Sequence, residues 1–156
     1  MVTLKKGDYA PGFTGTDQDG NTIALTDYSG KKLVLYFFGE AGSPTCTIES
    51  CNLRDNYSLL KESGLEVVGV SADEPKNQKK FSLKYDLPFP LIGDTSHTIL
   101  EKYGVWDRKK LFGREYMGVL RTTFVIDENG RILFVIPKPK NKDHAAEILA
   151  LFRALS

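Results

Sequence analysis

Apolar residues in this chain gather in short unbroken runs, set between stretches with helical spacing. Leu33-Val34-Leu35-Tyr36-Phe37-Phe38 is apolar at every position, the mark of a strand buried on both faces. Glu66-Val67-Val68-Gly69-Val70-Ser71 reads as a second buried strand. Between them a helix follows the loop 39–42, runs through Leu53, Tyr57 and Leu60, and stops at Gly64. Further helices are predicted over Pro75–Tyr85, Ser96–Tyr103 and His144–Leu155. Leu120–Ile126 and Ile132–Ile136 form two strands around the turn Asp127-Glu128-Asn129-Gly130. A small N-terminal β-hairpin turns at Asp17-Gln18-Asp19-Gly20-Asn21, entered from Ala10-Pro11-Gly12-Phe13. Strands that alternate with helices and end in a hairpin predict an α/β fold, a mixed central β-sheet flanked by helices on both faces. With no repeat, linker or low-complexity tract, residues 1–156 are expected to form one domain.

Composition narrows the partners. Lys and Arg number 21 against 20 Asp and Glu, so no basic surface points to nucleic acid or an anionic membrane. No run approaches the roughly 18 apolar residues of a membrane-spanning helix. Met1 to Asp8 lack the apolar segment of a secretory signal, which predicts a cytoplasmic protein. In that reducing compartment two cysteines are more readily redox-active than permanently bridged.

Those two cysteines carry the chemistry. Ser43-Pro44-Thr45-Cys46 reads as a helix start, with Cys51 five residues further on. Ser43 suits the N-cap, and Pro44 suits the first helical position, where its missing N–H costs nothing. Cys46 is then the third helical residue, among unpaired N–H donors at the positive end of the helix dipole. A thiol loses its proton most easily there. The helix start contributes about 0.3–1 kcal/mol toward the anion, and up to about 2 in a partly buried site. Residues five apart on an ideal helix have Cα atoms roughly 8.5–9 Å from each other. A disulfide needs about 7 Å or less. Cys46 and Cys51 therefore stay apart while the helix is intact and can bond only if its first turns unravel, which suits a catalytic cycle better than a structural staple.

Four segments, taken together, resemble the peroxiredoxins, and among them the bacterioferritin comigratory protein or peroxiredoxin Q subgroup. They are Tyr9-Ala10-Pro11-Gly12-Phe13; Ser43-Pro44-Thr45-Cys46 with Glu49, Cys51, Arg54 and Asp55; Gly69-Val70-Ser71 with Asp73; and Tyr103-Gly104-Val105-Trp106 followed by Tyr116-Met117-Gly118 and Arg121-Thr122-Thr123-Phe124-Val125-Ile126-Asp127. The resemblance implies a thioredoxin-like fold and an atypical two-cysteine, thioredoxin-dependent peroxidase acting on hydrogen peroxide and small organic hydroperoxides. It implies Cys46 as the peroxide-attacking thiolate and Cys51 as the resolving thiol. Ser43 stands in the place of the family's threonine and Arg121 in that of its active-site arginine. Pro44 supports the helix start, and Glu49, one turn beyond Cys46, holds an arginine. The Ser43 hydroxyl, the Cys46 N–H and Arg121 would face the charge growing on the departing oxygen. Cys46 becomes a sulfenic acid, Cys51 condenses with it, and thioredoxin or a similar dithiol restores both thiols. Neither a metal nor an organic cofactor is called for. A monomer is expected, since both thiols lie in one helix. Gly39 departs from the family, which has proline seven residues before the reactive cysteine; glycine loosens that loop.

Taken without the resemblance, the residues leave other readings open. Cys51 serves equally as packing on the inner face of its helix, Arg121 as a solvated strand edge, and Ser43 as a plain cap. Trp106, Tyr103 and Tyr116 read as packing residues rather than a binding platform. His97 and His144, distant from two thiols, make a poor zinc pattern. The clusters Arg108-Lys109-Lys110 and Lys138 to Lys142 read as solvated loops, one of which could dock an acidic reductase. A protein disulfide oxidoreductase of thioredoxin-like fold is the main alternative function, although such enzymes place two residues between their cysteines where this chain has four. A metal-binding or redox-sensing module is the third.

Overall fold

A computed structural model describes residues 2–154. The apolar run becomes β3 (Lys32–Phe37), buried along nearly its whole length. An N-terminal hairpin of β1 (Thr14–Thr16) and β2 (Thr22–Ala24) precedes it. Then follow α1 (Pro44–Asp55), α2 (Tyr57–Glu62), β4 (Leu65–Ser71), α3 (Pro75–Tyr85), β5 (Leu91–Gly93) and α4 (Thr98–Lys102). The chain ends with β6 (Trp106–Leu111), β7 (Arg114–Val119), β8 (Thr122–Ile126), β9 (Ile132–Pro137) and α5 (His144–Arg153). Leu155, the predicted end of the last helix, lies outside the described residues.

The central sheet has strand order β5-β4-β3-β8-β9. β3 and β4 run parallel, as do β4 and β5, while β8 lies antiparallel to β3 and to β9. Because β3 alternates between two apolar faces, it supplies both cores. Val34, Tyr36 and Phe38 pack under α1, α2, α3 and α5 with Cys46, Leu53, Leu60, Phe81 and Ile148. Leu33, Leu35 and Phe37 point the other way, toward Phe13, Ile99, Leu100 and Tyr103. The result is the mixed, helix-covered sheet that the pattern predicts. Among the described residues no helix is long and apolar enough to cross a membrane.

Four details differ from the sequence-based expectations. The helix bearing the cysteines breaks at Asn56, whose φ of −110° and ψ of 11° leave the helical range, so α1 and α2 are separate rods. Arg121 lies just before β8 rather than on it. β5, only three residues long, ends the apolar stretch Leu87-Pro88-Phe89-Pro90-Leu91-Ile92, whose two prolines read as loop rather than strand. The cluster Arg108-Lys109-Lys110 is no loop. It belongs to β6, which pairs with β7 from Trp106↔Val119 to Leu111↔Arg114. Phe112 and Gly113 make the two-residue turn with φ of 52° and 77°, the geometry that matches hairpin twist.

Candidate active site

The cysteine helix starts at the carboxyl end of the central strand β3, the edge at which open α/β sheets place their sites. The Phe38 N–H extends the sheet to the Val70 carbonyl over 3.0 Å. In the next loop, the Ala41 N–H donates to Asp73 Oδ2 at 2.8 Å, and the Ser71 hydroxyl donates to the same oxygen at 2.6 Å. Gly42, at φ 89°, supplies the left-handed turn into α1 that a side chain would resist. Ser43 takes the N-cap position, Pro44 the first helical one and Cys46 the third. The Ser43 hydroxyl makes no cap hydrogen bond. Its carbonyl receives the Thr47 N–H at 2.9 Å, and Ser43 lines a cleft beside Cys46.

Tyr36 fixes the helix to the sheet. Its buried hydroxyl shares a 2.9 Å hydrogen bond with Ser50 of α1. The ring fits because β4 carries Gly69 beside it, where a Cβ would meet the Tyr36 ring and Leu91 at 2.9 Å. Burial pushes the Tyr36 phenol well above its ordinary range, so the hydroxyl keeps its proton.

Cys46 is 2% exposed and opens onto a cleft of about 580 Å³ that Ser43, Gly39 and Arg121 also line. Cys51 is half-buried, and both thiols are free. The outer wall is the β6–β7 hairpin, through Trp106, Lys109, Tyr116 and Met117. Tyr103 is a core residue, as anticipated, but Tyr116 is 45% exposed and faces the cleft instead of packing inside. Trp106 stacks on His97 with ring centroids 3.9 Å apart. In the sequence this wall is marked by Gly113 at its turn and by Trp106, Tyr116 and Met117 set among charged residues.

Arg121 is held from several sides. Its Nη2 donates to Glu49 Oε2 at 3.4 Å, to the Pro139 carbonyl at 3.3 Å and to Asn141 Oδ1. Glu49 is wholly buried beneath it. Burial pushes the Glu49 carboxyl up to about 7, against the pull of the Arg121 guanidinium. Glu49 Oε1 and Arg121 Nε have no hydrogen-bond partner among the described residues.

His144, which nothing in the sequence ties to the cysteines, completes this group. Its Nε2 lies 2.8 Å from Thr123 Oγ1 and 3.9 Å from Glu49 Oε2, and its Nδ1 lies 3.0 Å from Glu147 Oε1. Burial lowers its pKa, partly offset by Glu147. The neutral ring therefore donates from Nδ1 to Glu147 and accepts the Thr123 hydroxyl at Nε2. Only the packing of α5 against α1 brings it there. Among the described residues no group of three or more His, Cys, Asp or Glu could hold a metal ion.

Residues 6–135 match the AhpC/TSA family. The chain is 40% identical over 149 residues to peroxiredoxin Bcp of Escherichia coli, covering 96% of each protein. It is similar to the crystal structure of peroxidoxin BcpB from Mycobacterium tuberculosis, with TM-score 0.86 and 34% identity over 98% of this chain and 99% of that one. Another similar structure is the bacterioferritin comigratory protein of Xanthomonas campestris, described for its alkyl peroxide reduction activity. There the TM-score is 0.86 at 25% identity, over 99% of this chain and 98% of the other.

Proposed function

Because the chain belongs to the AhpC/TSA family, among the Bcp-type peroxiredoxins, we propose that it reduces hydrogen peroxide and small organic hydroperoxides through Cys46, with Cys51 as the resolving thiol. The Cys46 thiolate attacks one peroxide oxygen, the O–O bond breaks, and the departing oxygen takes up a proton as water or an alcohol. Negative charge grows on that oxygen as the bond lengthens, so donors aimed at it lower the barrier. The Ser43 hydroxyl, the Cys46 backbone N–H and the Arg121 guanidinium take that role. Cys46 is left as a sulfenic acid. The Cys51 thiol attacks this sulfur, the S–S bond forms, and water leaves. A dithiol such as thioredoxin then reduces the disulfide by exchange. The protein works as a cytoplasmic monomer, its two thiols supplied by one helix.

What supports this reading most is the meeting of Ser43, Cys46 and Arg121 on one cleft, although 75 residues of sequence separate the last two. The alkyl peroxide reduction described for the similar Xanthomonas protein agrees with the apolar wall of Trp106 and Met117. A coupled assay with thioredoxin, its reductase, NADPH and peroxide tests it. Peroxide-dependent NADPH loss is expected for the native chain and none for Cys46→Ser. Reduction of insulin disulfides without peroxide would instead support a protein disulfide oxidoreductase.

A further inference from the structure

Immediately after Cys51, the side chain of Asn52 bridges α1 to the start of the C-terminal helix. Its Nδ2 donates to the Lys142 carbonyl at 2.7 Å, and its Oδ1 accepts the Ala145 N–H at 2.8 Å. Ala145 is the second residue of α5, whose own N-cap residue, Asp143, makes no side-chain cap hydrogen bond. Helix starts leave N–H groups without internal partners, so a residue of α1 caps α5 from outside. The Asn52 carbonyl, in turn, receives the backbone N–H of Asn56 at 3.2 Å and its Nδ2 at 2.9 Å.

Bond formation between Cys46 and Cys51 requires the helix to open between them, and Asn52 adjoins Cys51 at the edge of the segment that must move. We propose that Asn52 is a latch, a positioning residue that sets how often α1 opens and so divides oxidised Cys46 between two fates. In the first, the Cys51 thiol attacks the sulfenic sulfur, the S–S bond forms, the S–O bond breaks, and water leaves. In the second, a further hydrogen peroxide oxidises the sulfenic acid to sulfinic acid; the peroxide O–O bond breaks, one oxygen joins sulfur, and the other leaves as water. A tight latch favours the second fate at high peroxide. The inference rests on the roles proposed above for Cys46 and Cys51.

The test compares the native full-length chain with Asn52→Ala and Asn52→Asp. Rapid mixing with hydrogen peroxide gives the rate of attack at Cys46, and acid quench with peptide mass gives the disulfide and sulfinic fractions over time. In Asn52→Ala, attack should be unchanged, while disulfide forms about 5- to 30-fold faster, as the loss of two hydrogen bonds predicts. The sulfinic fraction under excess peroxide should fall accordingly. Asn52→Asp keeps an acceptor for the Ala145 N–H but loses the donor to Lys142, and should lie between the two. Disulfide formation at the native rate or slower in Asn52→Ala would overturn the latch, as would attack and resolution slowing together in both variants. If the native chain forms no Cys46–Cys51 disulfide, the underlying assignment fails with the latch, before any variant is compared.

Discussion

The guanidinium of Arg121 donates across 3.4 Å to the carboxylate of Glu49, whose side chain is fully buried while that of Arg121 is 21% exposed. One end of the pair thus reaches the cleft and the other anchors it in the core. In the mechanism proposed above, removing the exposed member takes a donor from the departing oxygen without opening the interior, since Glu49 can then hold a proton. Arg121→Ala should slow peroxide attack by about 10²- to 10³-fold and leave the far-ultraviolet circular dichroism unchanged. Stopped-flow peroxide consumption checks the first outcome and the spectrum the second.

The buried carboxyl also predicts a pH dependence of stability. Glu49 titrates near 7 in the folded chain, against an ordinary value of 4.5, chiefly because it is buried. Below about pH 4.5 it is neutral in both states. Between about 4.5 and 7 the unfolded chain gives up its proton first, so stability falls as pH rises, and the loss levels off above 7 at about 3 kcal/mol. His144 acts in the opposite sense, because its folded pKa is lowered and its contribution is lost as pH falls. Comparing the native chain with Glu49→Gln cancels the His144 part. Urea denaturation should show Glu49→Gln gaining relative stability from pH 4.5 to pH 8; a constant difference would contradict the assignment.

How much of this was legible beforehand follows from where each signal lies. β3 and β4 announced themselves because strands buried on both faces are apolar throughout. The start of α1 was legible because Ser43 and Pro44 are local signals for a local event. The break at Asn56 was not, since apolar spacing continues through Tyr57 and Leu60 across it. The hairpin wall was hidden because strands with mostly exposed side chains carry charge rather than an apolar run, and Arg108 to Lys110 look the same in a loop. Ser43, Cys46, Cys51 and Arg121 were all named from sequence, with Glu49 as the partner of an arginine. His144 and Asn52 were not, because their positions depend on α5 docking against α1, a contact across about 90 residues that no local pattern encodes.

The loop before α1 gives a paired prediction. Asp73 Oδ2 is the acceptor that holds the Ala41 N–H and the Ser71 hydroxyl. Asp73→Ala leaves both donors unpaired and should cost about 1–3 kcal/mol. Gly39 has the reverse character: its φ is not left-handed, and a Cβ there would meet nothing within 4 Å. Gly39→Ala should stabilise the protein by about 0.4–1 kcal/mol through the unfolded state. Chemical denaturation of the two variants reads both signs.

The division of labour between the two thiols is best tested by treating the reduced chain with one equivalent of hydrogen peroxide and locating the oxidised sulfur by peptide mass. The native chain should yield a disulfide joining Cys46 and Cys51, while Cys51→Ser consumes peroxide at the native rate and holds the oxidation on Cys46. Undiminished peroxide consumption in Cys46→Ser, with oxidation found on Cys51, would contradict the account.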